Sequence, residues 1–412
     1  MVLEAAFALV FALLFALLGV LAAFTPVYAL VFAVASFAGP RRERPVRGSP
    51  RLTVLVPAHN ESELIERCVR SLLDQSYAAA NYRVVVIADN CTDATATIAA
   101  AAGAEVMVRS DLEHRGKGRA LRWAMDILLA RPEAPDGVVI VDADSVADRE
   151  MIAEMAASYA AGHESVQADD LLRNETGSLR GELEAMAMIL RNQVRFRGRT
   201  ALRMPVTLCG NGMLLSSAVL RSQPWGAFSA VEDGEYALML GEAGVPTVFA
   251  PRAKIYASTT ASSAGAYTQG VRWEGGRFQL MRVWLPRMLR AAWRRRDAGL
   301  LATAVDEATL PLSASLALNL LGAAASVLLL SRKDIDVWAA LPWLVGAASI
   351  PLYVVAALAS ARLPRRSYLA LLTVPAFLFL KLRVYARLMR GFERTWVRTE
   401  RPAENVKRTM KG

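Results

Sequence analysis

The sequence predicts an α/β domain with a parallel sheet of βαβ units, set between membrane-spanning helices. Three observations predict it. Short apolar, β-branched runs alternate with helix-periodic stretches from residue 52 to residue 141, the pattern of strands joined by crossover helices. Long uncharged apolar segments lie on both sides of that region. Acidic and amide residues follow directly on the ends of the apolar runs. With 54% hydrophobic and 21% charged residues in a chain of 412, a disordered chain and a disulfide scaffold are excluded. The three cysteines, Cys68, Cys91 and Cys209, form no CxxC pair and suit buried thiols in a reducing compartment.

The elements follow in chain order. Ala5 to Ala38 carries no charge; as a helix it would reach about 50 Å, beyond the roughly 30 Å hydrocarbon core. It exceeds a signal-peptide h-region of about 7–15 residues and lacks a basic n-region, so residues 1–40 read as a retained anchor. Arg41, Arg42, Arg44 and Arg47 follow it, and the positive-inside rule places residues 50–277 in the cytoplasm. Within that domain Leu52–Val56 is a strand, and Leu64, Ile65, Cys68, Val69, Leu72 and Leu73 form a helix behind Asn60 as N-cap. Strands at Tyr82–Ala88, Glu105–Arg109 and Gly137–Val141 alternate with helices at Asp93–Ala102 and Lys117–Ala130. Residues 278–298 interleave Phe278, Leu280, Val283, Trp284 and Trp293 with arginines, as a basic amphipathic helix on the headgroups does. The membrane region covers 308–390: Ala308–Leu330 and Val337–Ser360 are long enough to span, and Tyr368–Leu380 is either re-entrant or a further span. Residues 391–412 are a basic cytoplasmic tail. The net charge of +10 clusters at membrane junctions, which favours a lipid surface over nucleic acid.

Ligands of parallel sheets sit at the strands' carboxyl ends, which points to Ala58–Glu61, Asp89-Asn90 and Asp142–Ser145. No GxGxxG follows the first strand and no Walker A motif occurs. Asp142-Ala143-Asp144 offers two carboxylates at i and i+2, suited to a hard cation that also takes diphosphate oxygens; a solvated turn is the plainer reading. Glu232-Asp233 opens a helical run, either complementing the helix dipole or supplying a base. Gln269 to Trp273 contains Arg272, which can clamp diphosphate oxygens or snorkel beside an interfacial Trp. His59, His114 and His163 lack ligand spacing. The sequon Asn174-Glu175-Thr176 is silent in a cytoplasmic domain.

As an ordered set these motifs resemble the membrane-bound family-2 glycosyltransferases, the branch with cellulose, hyaluronan and chitin synthases and ceramide glucosyltransferases. The resemblance rests on Val56–Glu61, Ala88–Asp93, Arg115–Gly118, Asp142–Ser145, Cys209–Gly212, Val231–Asp233 and the QxxRW pattern at Gln269–Trp273, and extends loosely to Trp396–Thr399. It implies a GT-A-type, Rossmann-like nucleotide-sugar domain plus transmembrane helices, and an inverting transfer from a nucleotide-diphosphate sugar, most simply a UDP-sugar. Asp233 resembles the general base, with Glu232 its neighbour. Pro57, Asn60, Glu61 and Asp89 would line the nucleoside site, and Lys117 the nucleotide or diphosphate. Asp142 and Asp144 would handle the nucleotide and a Mg²⁺ or Mn²⁺ ion, Asp144 more directly. Gln269, Arg272 and Trp273 would cap donor and acceptor.

The chain departs from the pattern at Asn90, where many relatives carry a second acid, at Val231 in place of Thr, and at Gly270 in place of Arg. These departures bear on donor preference. QxxRW favours a synthase elongating a saccharide at the cytoplasmic membrane face. Few spans favour the alternative, one sugar added to a membrane lipid; exporting a polymer through so few helices would require a homo-oligomer or an export partner.

Overall fold

The computed structural model describes residues 2–39, 48–175, 177–259 and 263–390. The arginines at 41, 42, 44 and 47, Thr176 of the sequon, and the tail from residue 391 with Trp396–Thr399 lie outside the described residues.

After helix α1 (Val2–Ala35), the chain runs β1 (Leu52–Ala58), α2 (Ile65–Leu73), β2 (Tyr82–Asp89), α3 (Thr95–Ala101), β3 (Glu105–Arg109), α4 (Lys117–Ala130) and β4 (Gly137–Ile140). β3, β2, β1 and β4 lie side by side and parallel. Their continuous apolar runs follow from burial on both faces. Val54 and Val56 enter a cluster with Cys68 and Leu72 of α2, while Leu55 and Ile87 enter one with Leu121 and Met125 of α4. Asn60 does not cap α2, contrary to the sequence reading. Leu64 occupies the N-cap, and Asn60 takes a left-handed φ of 55° and accepts the Thr92 amide at 2.8 Å. Its short side chain staples the loop after β1 to the loop after β2.

The chain continues through β5 (Val146–Ala147), α5 (Met151–Ala160), β6 (Ser165–Arg173), α6 (Leu179–Met188), α7 (Arg195–Ala201), β7 (Met213–Ser216), α8 (Ser217–Ser222), α9 (Glu232–Ala243) and β8 (Thr247–Ser258). The eight-stranded order is β3-β2-β1-β4-β7-β6-β8-β5. β7 runs antiparallel to both β4 and β6, and β5 antiparallel to β8. The sheet is therefore mixed, and the expected parallel arrangement holds for its first half. The reversal has a physical cause: between β6 and β7 the chain detours over helices that pack on the membrane segments, and re-enters the sheet at the end where β6 left it.

Beyond β8 come α10 (Ser263–Arg295), α11 (Ala298–Glu307), α12 (Leu312–Ser331), α13 (Val337–Ala361), α14 (Arg365–Ala370) and α15 (Val374–Met389). Among the described residues, 6–38, 312–331, 337–361 and 367–389 are long and apolar enough to cross a membrane. The last is jointed by a 3₁₀ turn at Leu371–Thr373 before Pro375. α1 closes on α12 and α13 through small residues and buried polar contacts, as helices do in lipid. Trp343 donates to the Phe15 carbonyl at 3.0 Å and Asn319 to the Ala22 carbonyl at 2.9 Å. α10 is continuous through residue 277, so Gln269–Trp273 and the basic amphipathic stretch share one rigid element.

Candidate active site

The parallel register aligns Ala58 with Ala88 and Leu55 with Ile140, so the polar segments after β1, β2 and β4 meet at one edge of the sheet. At the first corner Asp89 is buried against Arg109, with Oδ1 2.6 Å from the guanidinium. Arg109 also reaches Asp111 at 2.8 Å and the His114 carbonyl at 2.7 Å. Asn90 donates to Asp89 Oδ1 and to the Asp111 carbonyl, both at 3.0 Å, and accepts the Asp111 amide at 2.8 Å. Asn90 thus replaces the second acid with a bracket that ties the end of β2 to the loop after β3. His59 Nδ1 lies 2.7 Å from the Asp89 carbonyl, and the Glu61 amide donates to Thr95 Oγ1 at 2.8 Å. Pro57, Asn60, Glu61 and Asp89 are thereby gathered at one corner.

The second corner is organised by Lys117, the first residue of α4. Its Nζ lies 2.6 Å from Asp142 Oδ1, 2.9 Å from the Gly210 carbonyl and 3.5 Å from Glu232. Burial disfavours the ammonium, but Asp142 and Glu232 together outweigh it and raise the lysine pKa, so Lys117 is charged. Burial pushes Glu232 up to about 7 even though Lys117 opposes it. Asp142 is also raised, by burial first; Lys117 works against the shift and Asp144 adds to it.

Residues 209–212 connect these groups. Gly210 has φ +81°, and a Cβ there would stand 2.9 Å from Asp233 Oδ2. Glycine is needed twice, for the backbone conformation and for the close approach of the carboxylate. Asn211 accepts the Asp142 amide at 3.1 Å and donates to Ser145 Oγ and Asp170 Oδ1, each at 3.0 Å. Burial raises the Asp170 pKa well above the usual carboxylate range; Asn211 opposes the shift, and Asp142 and Asp144 reinforce it. Sequence reasoning missed Asp170 and the bracing role of Asn211. The available signal was the acidic pair Asp169-Asp170 in the middle of a largely buried strand, beside a register break at Ala168/Asp169.

α10 supplies the third side. Gly276 lies against Val231, whose Cγ1 would be 2.7 Å from an added Cβ, and Gly234 lies against Leu280 at 3.3 Å by the same measure. The helix bearing Gln269, Arg272 and Trp273 is thus clamped onto the start of α9. Val231, one of the departures, is the packing surface for Gly276. Gly270, another, faces α15: an added Cβ would be 3.4 Å from Val384 Cγ2. One turn on, Glu274 pairs with Lys381 of α15 at 2.9 Å. Gln269, Arg272 and Trp273 are half-buried, and Arg272 Nε is buried without a hydrogen-bond partner among the described residues. Lys117 meets Asp142 and Glu232 directly, and Asp233 stands against Gly210, whose carbonyl accepts from Lys117. The structure places the QxxRW residues on the adjoining helix, without a hydrogen bond to that group among the described residues.

No group of three or more metal-ligating side chains occurs among the described residues. Asp142 and Asp144 supply two carboxylates, which suits Mg²⁺ or Mn²⁺ completing its shell from a diphosphate and water. Asp142 and Asp144 also lie close enough to Asp170 to add, behind burial, to the upward shift of its carboxyl, so the carboxylates present fit a divalent cation.

A model of the family described as glycosyltransferase like family 2 matches residues 50–276, more than half of the chain. The beta-monoglucosyldiacylglycerol synthase of Nostoc sp. is 27% identical over 256 residues, covering 59% of this chain and 53% of that protein. The chain thus spans about half the length of that curated relative. Among solved structures, the mannosyltransferase PcManGT from Pyrobaculum calidifontis, in complex with GDP-Man and Mn²⁺, has a TM-score of 0.52 at 19% identity, covering 83% of this chain and 96% of its own. TarS of S. aureus in complex with UDP-GlcNAc has a TM-score of 0.40 at 18% identity over 58% of this chain and 66% of its own, too low to add to the fold argument. At such identities the likeness to PcManGT concerns the fold alone. The match over residues 50–276, on a sheet whose strand ends carry the expected carboxylates, makes this chain a family-2 glycosyltransferase with a GT-A catalytic domain and four candidate membrane helices.

Proposed function

We propose that the enzyme transfers one hexose from a nucleoside-diphosphate sugar, with inversion, to a hydroxyl of a membrane lipid. The observation that carries this reading is the direct seating of the catalytic domain on the membrane helices. Gly198 of α7 packs against the Phe32 backbone of α1, and Tyr353 of α13 donates to the Leu190 carbonyl at 3.2 Å. An acceptor embedded in the bilayer would reach Asp233 without leaving the lipid. The resemblance to a synthase of a glucosylated diacylglycerol supports the same choice.

In this reading Pro57, Asn60, Glu61 and Asp89 hold the nucleoside, and Arg272 with Gln269 and Trp273 closes over the diphosphate and acceptor. Asp233 takes the proton from the acceptor hydroxyl. The oxygen then bonds to the anomeric carbon from the face opposite the leaving group, and the bond from that carbon to the diphosphate oxygen breaks. Lys117 and Arg272 offset the charge gathering on the departing nucleoside diphosphate. Asp144 and Asp142 would hold the divalent ion, which when bound supplies further charge stabilisation to the diphosphate. A UDP-sugar remains the simplest donor, and the catalytic domain lies on the cytoplasmic face of the cytoplasmic membrane.

Elongation of a saccharide is the second reading, supported by the QxxRW pattern at Gln269–Trp273; it would require an oligomer or an export partner. The test incubates purified protein, Mg²⁺ or Mn²⁺ and mixed lipid vesicles with labelled UDP-hexoses and GDP-mannose. Lipid-soluble and high-mass products are then separated. A discrete lipid-soluble band is expected; polymer without a glycolipid band would transfer the assignment to the second reading.

A further inference from the structure

Between the catalytic pocket and the bilayer lies a group of arginines that the transfer chemistry leaves unused. A six-residue π-helix, Ile189–Val194, joins α6 to α7; such segments are rare and recur at functional sites. It starts on the membrane side, where Leu190 packs with Ala33 of α1 and Ala357 of α13. The next residue, Arg191, is exposed and makes no hydrogen bond or ion pair among the described residues. One turn on, Arg195 shares Asp306 with Arg199, at 3.3 and 3.1 Å. The same carboxylate also accepts from Tyr28 at 3.1 Å. Arg277 crosses from α10 and spends one guanidinium nitrogen on the carbonyls of Glu307 and Thr309, at 3.2 and 2.8 Å. The Nε atoms of Arg195 and Arg277 are buried without a hydrogen-bond partner among the described residues.

Among the described residues, Asp306 is the one carboxylate that pairs with this group, through Arg195 and Arg199, and Glu307 lies near Arg195 and Arg277. Burial lowers the Arg277 pKa, and Arg191 and Arg195 lower it further although Glu307 opposes them. The group also adjoins the chemistry. Burial raises the Cys209 thiol while Arg191 pulls it down and Asp170 and Asp233 push it up, and Cys209 precedes the glycine that touches Asp233. Surplus buried positive charge with unsatisfied donors calls for an anion, and arginine forks match a phosphate.

We propose that this cluster binds a phosphate group, and that the phosphate belongs to the lipid acceptor, whose hydroxyl it places at Asp233. The assignment rests on the glycolipid reading above and narrows it to phosphate-bearing lipids.

The test measures equilibrium binding to the full-length protein in non-ionic detergent, with dioctanoyl phosphatidylglycerol, dioctanoylglycerol and inorganic phosphate as probes. Phosphatidylglycerol is expected to bind about tenfold more tightly than the neutral lipid, as charge-assisted hydrogen bonds allow. Arg191→Gln, at an exposed site, should remove most of that preference, and Arg195→Lys should weaken it in part. Arg252→Gln, an exposed arginine on β8, should leave it intact. Equal binding of the two lipids, or a preference indifferent to Arg191→Gln, would overturn the anion site. Inorganic phosphate binding as tightly as phosphatidylglycerol would overturn the lipid source. These outcomes do not depend on product. Intact anionic binding without glycolipid synthesis would therefore count against the proposed function and leave the site standing.

Discussion

Gly210 and Asp233 are in such close apposition that a single methyl on the glycine would stand 2.9 Å from Asp233 Oδ2. The same glycine's carbonyl accepts Lys117 Nζ at 2.9 Å. One residue therefore sets the separation between Lys117 and Asp233. Gly210→Ala should displace Asp233 and strain a backbone at φ +81°. The expected result is a fall in kcat of about 10²-fold, the scale of an ångström-level misplacement, with donor affinity retained. Steady-state kinetics with isothermal titration of the donor would check it; unchanged kcat would show that the carboxylate position is not limiting.

Asp233→Asn removes the proposed base but keeps the shape of the side chain. Turnover should fall by about 10²–10⁴-fold, the usual contribution of a positioned base, while the donor still binds, because a base acts in the transition state. Single-turnover measurements with saturating donor separate the two quantities. Wild-type turnover in this variant would remove Asp233 from the mechanism.

Glu232 gives a stability prediction with a definite sign. Its pKa is raised from 4.5 to about 7 in the folded protein, first by burial. A raised carboxyl pKa means that the native state holds the proton more tightly than the unfolded chain. The associated stability is complete below about pH 4.5 and is lost as pH rises through about 7. Glu232→Gln should therefore flatten the decline in Tm across that interval. Matching wild-type and variant slopes in thermal unfolding would contradict it.

Restoring the residue common among relatives at Gly270 should not help this chain. An added Cβ already meets Val384 at 3.4 Å and Lys381 Nζ at 3.9 Å. Gly270→Arg would press a long cation into the α10–α15 contact and beside Lys381. A loss of about 1–3 kcal/mol is expected from overpacking, read as a lower unfolding temperature without a gain in activity. A more active, equally stable variant would show that this crossing is not tight.

The local elements were legible from sequence because they depend on neighbours in the chain. Glu105–Arg109 and Lys117–Ala130 occupy the predicted ranges, and the four parallel strands follow from their apolar runs. Asn60 misled because a good cap residue was assigned from chain proximity, whereas its side chain answers to Thr92 across the loop. Beyond Asp142 the chain detours over membrane helices before returning as β7, and local periodicity carries no record of that return direction.

Residue type and order alone determined that an α/β domain with carboxylates at its strand ends lies between apolar helices. Only the tertiary structure decided which charges meet. Lys117 is 25 residues from Asp142 and 93 from Gly210, and Asp170 reaches Asn211 across two strands. It likewise decided that α10 lays Gly276 against Val231, and that Arg195 and Arg199 share Asp306. Hydrophobic periodicity is a short-range signal, set by which face of an element is buried. Charge pairing depends on distances in space, and those exist only once the sheet and the membrane helices have packed.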